Sequence, residues 1–204
     1  MPLIDKLTIT KDYSIGIWHI TESLETLEKE ACLTSEELTI FSGSRSKKRQ
    51  FEWLTTRVLL KQFFDPRPSI EYDAHGKPVL QSQKEHLSIS HSHKFVAVGI
   101  HGNKPIGIDI QTPKKNIQAG KSLFLNDDDV IANSDQITED VLHLIWGAKE
   151  AMYKFIGDST LNIYEHFNIL KISLGSMEGN CNLGGKSIQL CYRQTSDYYL
   201  VFTL

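Results

Sequence analysis

The hydrophobic period of this chain switches from two to about 3.6 and back, and does so twice in the same order. "YSIGIWHI" (13–20) alternates as a strand does. Short helical pieces in "SLETLEKEACLTSEELTIFSG" (23–43) follow, broken near residues 33–35. A stronger helix spans "SRSKKRQFEWLTTRVLLKQFF" (44–64), where Phe51, Leu54, Val58, Leu59 and Phe63 recur at helical spacing and "DPRP" stops it. Short strands lie around "SIEYD", "KPVL" and "LSIS", with the turn "HGKP" between the first two. The order then repeats. "FVAVGI" (95–100), the turn "HGNKP" and "IGIDIQ" (106–111) predict a β-hairpin, followed by a short helical piece near "NDDDVIAN". A long helix at about 138–156 has Thr138 as N-cap, Glu139 and Asp140 at the positive end of its dipole, and Gly157 at C′. "FNILKISL", "SIQLCYR" and "YYLVFTL" read as antiparallel strands. This pattern predicts an α+β fold, a pseudo-dimer of two similar α/β halves (1–93 and 94–204) in one compact unit.

A chain of 204 residues can bury a substantial core. Its formal net charge of -3 speaks against a general nucleic-acid binder. No apolar run approaches the ~20 residues of a membrane span, and the first residues carry no signal-peptide pattern. Cys32, Cys181 and Cys191 are odd in number and widely spaced, which predicts neither a disulfide framework nor a structural zinc site, and a cytoplasmic protein. Charge is uneven, however. Arg45, Lys47, Lys48, Arg49, Arg57, Lys61 and Arg67 face only Glu52 and Asp65 over residues 42–67. Such an island is either a solvated helix face or the seat of a specific anion such as a phosphate.

Three segments hold groups able to do chemistry. In "IGIDIQ", Ile106, Ile108 and Ile110 share one face while Gly107, Asp109 and Gln111 share the other, where the glycine leaves room for a ligand. On the long helix, Val141, Ile145, Ala148, Met152 and Phe155 form the apolar stripe, and Trp146, Glu150 and Lys154 form a second line. With that line turned to Asp109, two carboxylates and the Gln111 amide oxygen would converge on a hard cation, as Mg²⁺ prefers, and Lys154 would reach the same phosphates. The Glu150–Lys154 pair is equally compatible with a surface i,i+4 contact. "LSISHSHKF" (87–95) offers Ser90 and His91 as donors to an anion, His91 and His93 as a metal pair, or simply a surface loop.

Taken together, "GKPVL", "LSISHS", "PIGIDIQ" and "WGAKEAMYK", in this order, resemble the 4′-phosphopantetheinyl transferases of the surfactin-synthetase-activating (Sfp) type. The family pattern, (V/I)-G-(I/V)-D and then (F/W)-(S/C/T/G)-x-K-E-(A/S)-x-x-K, is matched from Ile106 to Asp109 and from Trp146 to Lys154, within a likeness running from about Arg45 to Leu174. The resemblance implies a monomer with two similar halves. It implies transfer of the phosphopantetheine arm of coenzyme A to a serine of an apo acyl or peptidyl carrier protein, with release of adenosine 3′,5′-bisphosphate. Asp109 and Glu150 would be Mg²⁺ ligands, with Gln111 beside them where many members carry Glu. Glu150 would also accept the serine proton. Lys154 would meet the pyrophosphate, His91, Ser90 and Lys77 the nucleotide phosphates, and Arg49 or Arg57 the 3′-phosphate. Two rival expectations stand beside this one: a non-catalytic module that binds coenzyme A or a carrier, and a metal hydrolase built on His91, His93 and Asp109.

Overall fold

The computed structural model describes residues 3–81, 83–133, 137–185 and 187–204. Its elements run β1 (Leu3–Thr10), β2 (Tyr13–His19), α1 (Leu24–Ala31), α2 (Ser35–Gly43), α3 (Lys47–Leu60), β3 (Ile70–Tyr72), β4 (Pro78–Leu80), β5 (His86–Ser92), β6 (Phe95–His101) and β7 (Ile108–Gln111). After these come α4 (Ile117–Gly120), a 3₁₀ turn (Lys121–Leu123), α5 (Asp127–Asn133), α6 (Glu139–Ile156), α7 (Ile163–His166), β8 (Phe167–Ser173), β9 (Ser176–Cys181), β10 (Ser187–Gln194) and β11 (Tyr199–Thr203). The fold is α+β. One sheet has the order β1-β2-β6-β5 and the other β7-β11-β10-β9-β8, with β3 and β4 forming a separate ribbon.

Alternation within the strands stacks these pieces into layers. Gly16 of β2 lies under Leu59 and Phe63 of the α3 region, so Trp18, Val96 and Val98 join Leu54, Val58 and Leu59 in one core. The other face of that sheet carries Ile15, Ile17 and Ala97, which pack on Ile106, Ile108, Ile110 and Leu200 of the second sheet. The far face of the second sheet meets Ile145, Ala148 and Met152 of α6. The order is therefore helix, sheet, sheet, helix, each interface apolar at a period of two or 3.6.

Two readings of the sequence change here. "FVAVGI" and "IGIDIQ" do not form a hairpin. β6 pairs with β5 and β2 inside the first sheet, whereas β7 pairs with β11. The tight turn falls earlier, at "SHKF", where His93 takes the left-handed conformation (φ 53). β6 thus lies in the first sheet, beyond the boundary expected at residue 93. Gly107 leaves room not for a ligand but for α6: a Cβ there would sit 1.8 Å from the Ala151 carbonyl oxygen. The isoleucine face goes to the core as expected, and the Asp109/Gln111 face is covered by the helix. Strand β1 had no counterpart in the sequence reading, and neither did β9, which occupies a glycine-rich stretch expected to be a hairpin connection. The N-cap Thr138 accepts from the Val141 N–H, and Gly157 closes α6 with φ 73, both as the sequence predicts.

Candidate active site

The two sheets meet edge to edge at β5 and β7, and the contact is made by serine side chains. Ser88, Ser90 and Ser92 each accept a hydrogen bond, at 3.0, 3.1 and 3.0 Å, from the backbone N–H of Ile108, Ile110 and Thr112. Three serines at alternate positions thereby satisfy the free N–H groups of an edge strand. "LSISHS" has this job first.

Ser90 does more. Its hydroxyl donates to Asp109 Oδ1 (2.9 Å) while also taking a bond from Lys154 Nζ (3.1 Å). Lys154 in turn donates to Asp109 Oδ1 (2.9 Å) and to the Ile108 carbonyl (3.0 Å). Asp109 and Lys154, distant in sequence, are thus brought into one ion pair between β7 and α6. Glu150 lies one turn before Lys154. Burial pushes its carboxyl above the usual range, the Asp109 charge adds to the rise, and Lys154 and Lys114 oppose it. The helix line expected from the sequence therefore does face Asp109. Gly147 permits the approach: a Cβ on it would stand 2.9 Å from Gln111 Nε2 and 3.6 Å from Asp109 Oδ2.

Gln111 does not join the carboxylates. Its Nε2 donates to the His143 carbonyl (2.7 Å), and its Oε1 meets His143 Nδ1 (3.1 Å). The buried amide has both ends engaged by His143. The cause is His143, a residue the sequence reading passed over. Its ring stacks on Tyr199, 4.6 Å between centroids.

The basic residues divide by burial. Arg57 is 3% exposed, with its guanidinium 3.3 Å from the centre of the Trp53 ring and its Nε 3.2 Å from Glu37 Oε1. Glu37 also takes Arg67, at 2.6 Å. A desolvated guanidinium needs such a partner, and burial lowers the Arg57 pKa to about 10 even so. Arg57 is thus paired within the protein through Nε and Nη1, and it also borders a cavity beside Arg49. Arg49 is exposed on the same helix, and this cavity of about 360 Å³ is lined by Arg49, Trp53, Arg57, Tyr72, Pro78 and His91. His91 Nδ1 lies 3.2 Å from Glu52 Oε1. A second cavity, about 220 Å³, is bordered by Lys77, Pro78, Ser88, Tyr153 and Lys154, and there Lys77 Nζ donates to the Phe155 carbonyl (3.3 Å). The "GKP" turn thus reaches the end of α6.

A divalent cation suits this arrangement on two grounds. Asp109 Oδ2 and both Glu150 oxygens accept no hydrogen bond among the described residues, and the Asp109 charge adds to the cost of ionising Glu150. No group of three or more His, Cys, Asp or Glu side chains gathers among the described residues in the manner of a zinc site. His91 turns to Glu52 and Asp109 to Ser90, so the hydrolase constellation of His91, His93 and Asp109 is not assembled. Two carboxylates, with water and ligand oxygens completing the shell, match Mg²⁺. Lys149, next to Glu150, is no part of the site. It is fully buried, 2.5 Å from Asp129 Oδ2, and donates to the Phe124 carbonyl at 2.7 Å.

Comparison with known proteins gives related sequences. The chain is 29% identical over 150 residues to the 4′-phosphopantetheinyl transferase AcpT of Escherichia coli (strain K12), covering 70% of this chain and 75% of that protein. Against the 4′-phosphopantetheinyl transferase AcpT of Salmonella typhimurium it is 26% identical over 149 residues, covering 70% and 77%. No family model matches the chain. These relatives bear out the resemblance to phosphopantetheinyl transferases, and with it the reading of the chain as an enzyme. Among the described residues no helix is long and apolar enough to cross a membrane.

Proposed function

We propose that this protein transfers the 4′-phosphopantetheine group of coenzyme A to a serine of an apo acyl or peptidyl carrier protein. Adenosine 3′,5′-bisphosphate is the second product. The observation that carries the reading is the convergence of Asp109, Glu150 and Lys154 where β7 meets α6. It is supported by the named transferases to which the chain is similar. A magnesium ion held by Asp109 and Glu150 would neutralise charge on the diphosphate.

The protein's own groups do the rest. Ser90 and Lys154 fix the Asp109 carboxylate, so it is oriented before any ligand arrives. Glu150 accepts the proton of the incoming serine hydroxyl, directly or through one water, as the serine oxygen–phosphorus bond forms. Lys154 offsets the charge on the departing bisphosphate as the phosphorus–oxygen bond of the diphosphate breaks. Arg49 and His91 border the cavity proposed for the 3′-phosphate, and Lys77 faces the neighbouring one. Two sheet-and-helix units in one chain favour the Sfp type, a pseudo-dimer of two halves that acts as a monomer. Three free cysteines suit a reducing cytoplasm.

Incubation with coenzyme A, Mg²⁺ and a panel of apo carriers, read by intact mass, tests the proposal. A carrier gaining one phosphopantetheine group, dependent on Mg²⁺, is the expected result. Coenzyme A bound without any transfer would leave the non-catalytic module instead.

A further inference from the structure

The residues around His143 define a feature that the Asp109–Glu150–Lys154 set does not explain. The Lys114 backbone N–H donates to His143 Nε2 at 3.2 Å. A backbone amide can only donate, so Nε2 is the acceptor, and in the neutral ring the proton sits on Nδ1. Nδ1–H then donates to Gln111 Oε1, while Gln111 Nε2 donates to the His143 carbonyl. Reversing the amide would set oxygen against oxygen, so tautomer and amide orientation fix each other. The chain of bonds runs from β7 through α6 to the loop that begins at Thr112. It holds the backbone of one residue in that loop, Lys114.

The Lys114 side chain itself is exposed. Its ammonium lies over the face of Trp146, 6.0 Å from the ring centre, one helical turn before Glu150. It has no carboxylate within ion-pair distance among the described residues, unlike Lys154. It also borders a groove of about 630 Å³ shared with Lys48, Ser92, Lys94 and Thr112. Its charge, like that of Lys154, opposes the rise of the Glu150 carboxyl.

We propose that Lys114 is a second diphosphate-binding cation of the active site, and that Gln111 and His143 are positioning residues that hold it. The inference rests on phosphopantetheinyl transfer being the reaction. Gln111, two residues after Asp109, thus serves as a clasp. Lys114 remains free to meet phosphate oxygens, whereas every ammonium proton of Lys154 already has a partner.

A double-mutant cycle tests this, with coenzyme A affinity measured by calorimetry in Mg²⁺ and turnover measured on a carrier. Lys114→Met is expected to weaken coenzyme A binding about tenfold, and Lys114→Arg to restore most of it. His143→Phe, which keeps the stacking on Tyr199, should weaken binding by a smaller factor. The double variant should bind no worse than Lys114→Met alone, because the clasp acts only through Lys114. Unchanged binding and turnover in Lys114→Met, or fully additive losses in the double variant, overturn the inference while wild-type activity preserves the proposed function. A wild-type protein that neither binds coenzyme A nor modifies a carrier overturns both.

Discussion

Glu150 sets an electrostatic cost to the fold against the catalytic role proposed for it. Its carboxylate is disfavoured by burial and by Asp109, and no protein donor among the described residues relieves it. Replacing it with the neutral isostere should leave the metal-free protein at least as stable, because the disfavoured charge is gone. Transfer should nevertheless fall by ~10²-fold or more, the scale of a lost general base. Glu150→Gln with wild-type turnover would remove Glu150 from the site. Lys154 behaves in the opposite way. Its ammonium is the charge partner of a buried Asp109, so Lys154→Met should lower both kcat, by ~10²-fold, and the melting temperature. Mg²⁺ should then stabilise the variant more than it stabilises wild type, since the dication replaces the missing charge. Loss of stability with turnover intact would return the pair to a structural role.

At the level of elements, the clasp between β7 and α6 sets a pH dependence. Burial first, and the Lys114 charge second, hold the folded His143 imidazole below its ordinary pKa of ~6.5. The folded state therefore binds fewer protons than the unfolded state as pH falls through that window. Stability present above ~6.5 is lost progressively below it. Urea midpoints at pH 7.5 and 5.5 should separate less in His143→Phe than in wild type, and equal separations would show that His143 does not carry the slope. Element types were largely legible in the sequence: α3 and α6 announced themselves by apolar spacing, and α6 also by its Thr138 and Gly157 caps. Pairing was not. "FVAVGI" and "IGIDIQ" look like hairpin partners because both are strands joined by a turn-forming segment, yet the choice of sheet depends on which edge each strand meets. That choice is made by Ser88, Ser90 and Ser92 and by the closeness of Gly107 to α6. Side-chain bonds to a remote strand leave no periodicity to read. The contact of Gln111 with His143 was hidden for the same reason, the two being thirty-two positions apart.

Across the whole molecule, the site exists because two layers that could each be a separate sheet are sealed along one edge. Asp109 comes from that seam, Glu150 and Lys154 from the helix covering the second sheet, and Arg49 and His91 from the first sheet and its helix. The sequence motifs drew attention to the first three because each motif is local and chemically distinctive. The basic helix was less legible, since seven cations look alike until Glu37 claims Arg57 and Arg67 and leaves Arg49 in the open. A ligand that spans the seam binds only the assembled layers, so it should stabilise the molecule by mass action. At a hundred times the dissociation constant that is ~2.7 kcal/mol, a rise of about 5–10 °C in melting temperature for a chain of this length. Coenzyme A and Mg²⁺ together should therefore raise Tm by more than the sum of their separate effects, because each supplies part of the other's site. Glu150→Gln should abolish that excess while keeping the small shift from coenzyme A alone, through the contacts proposed for Arg49 and His91. Strictly additive shifts in the wild-type protein would mean that metal and nucleotide occupy separate places, and the seam would then not be where they meet.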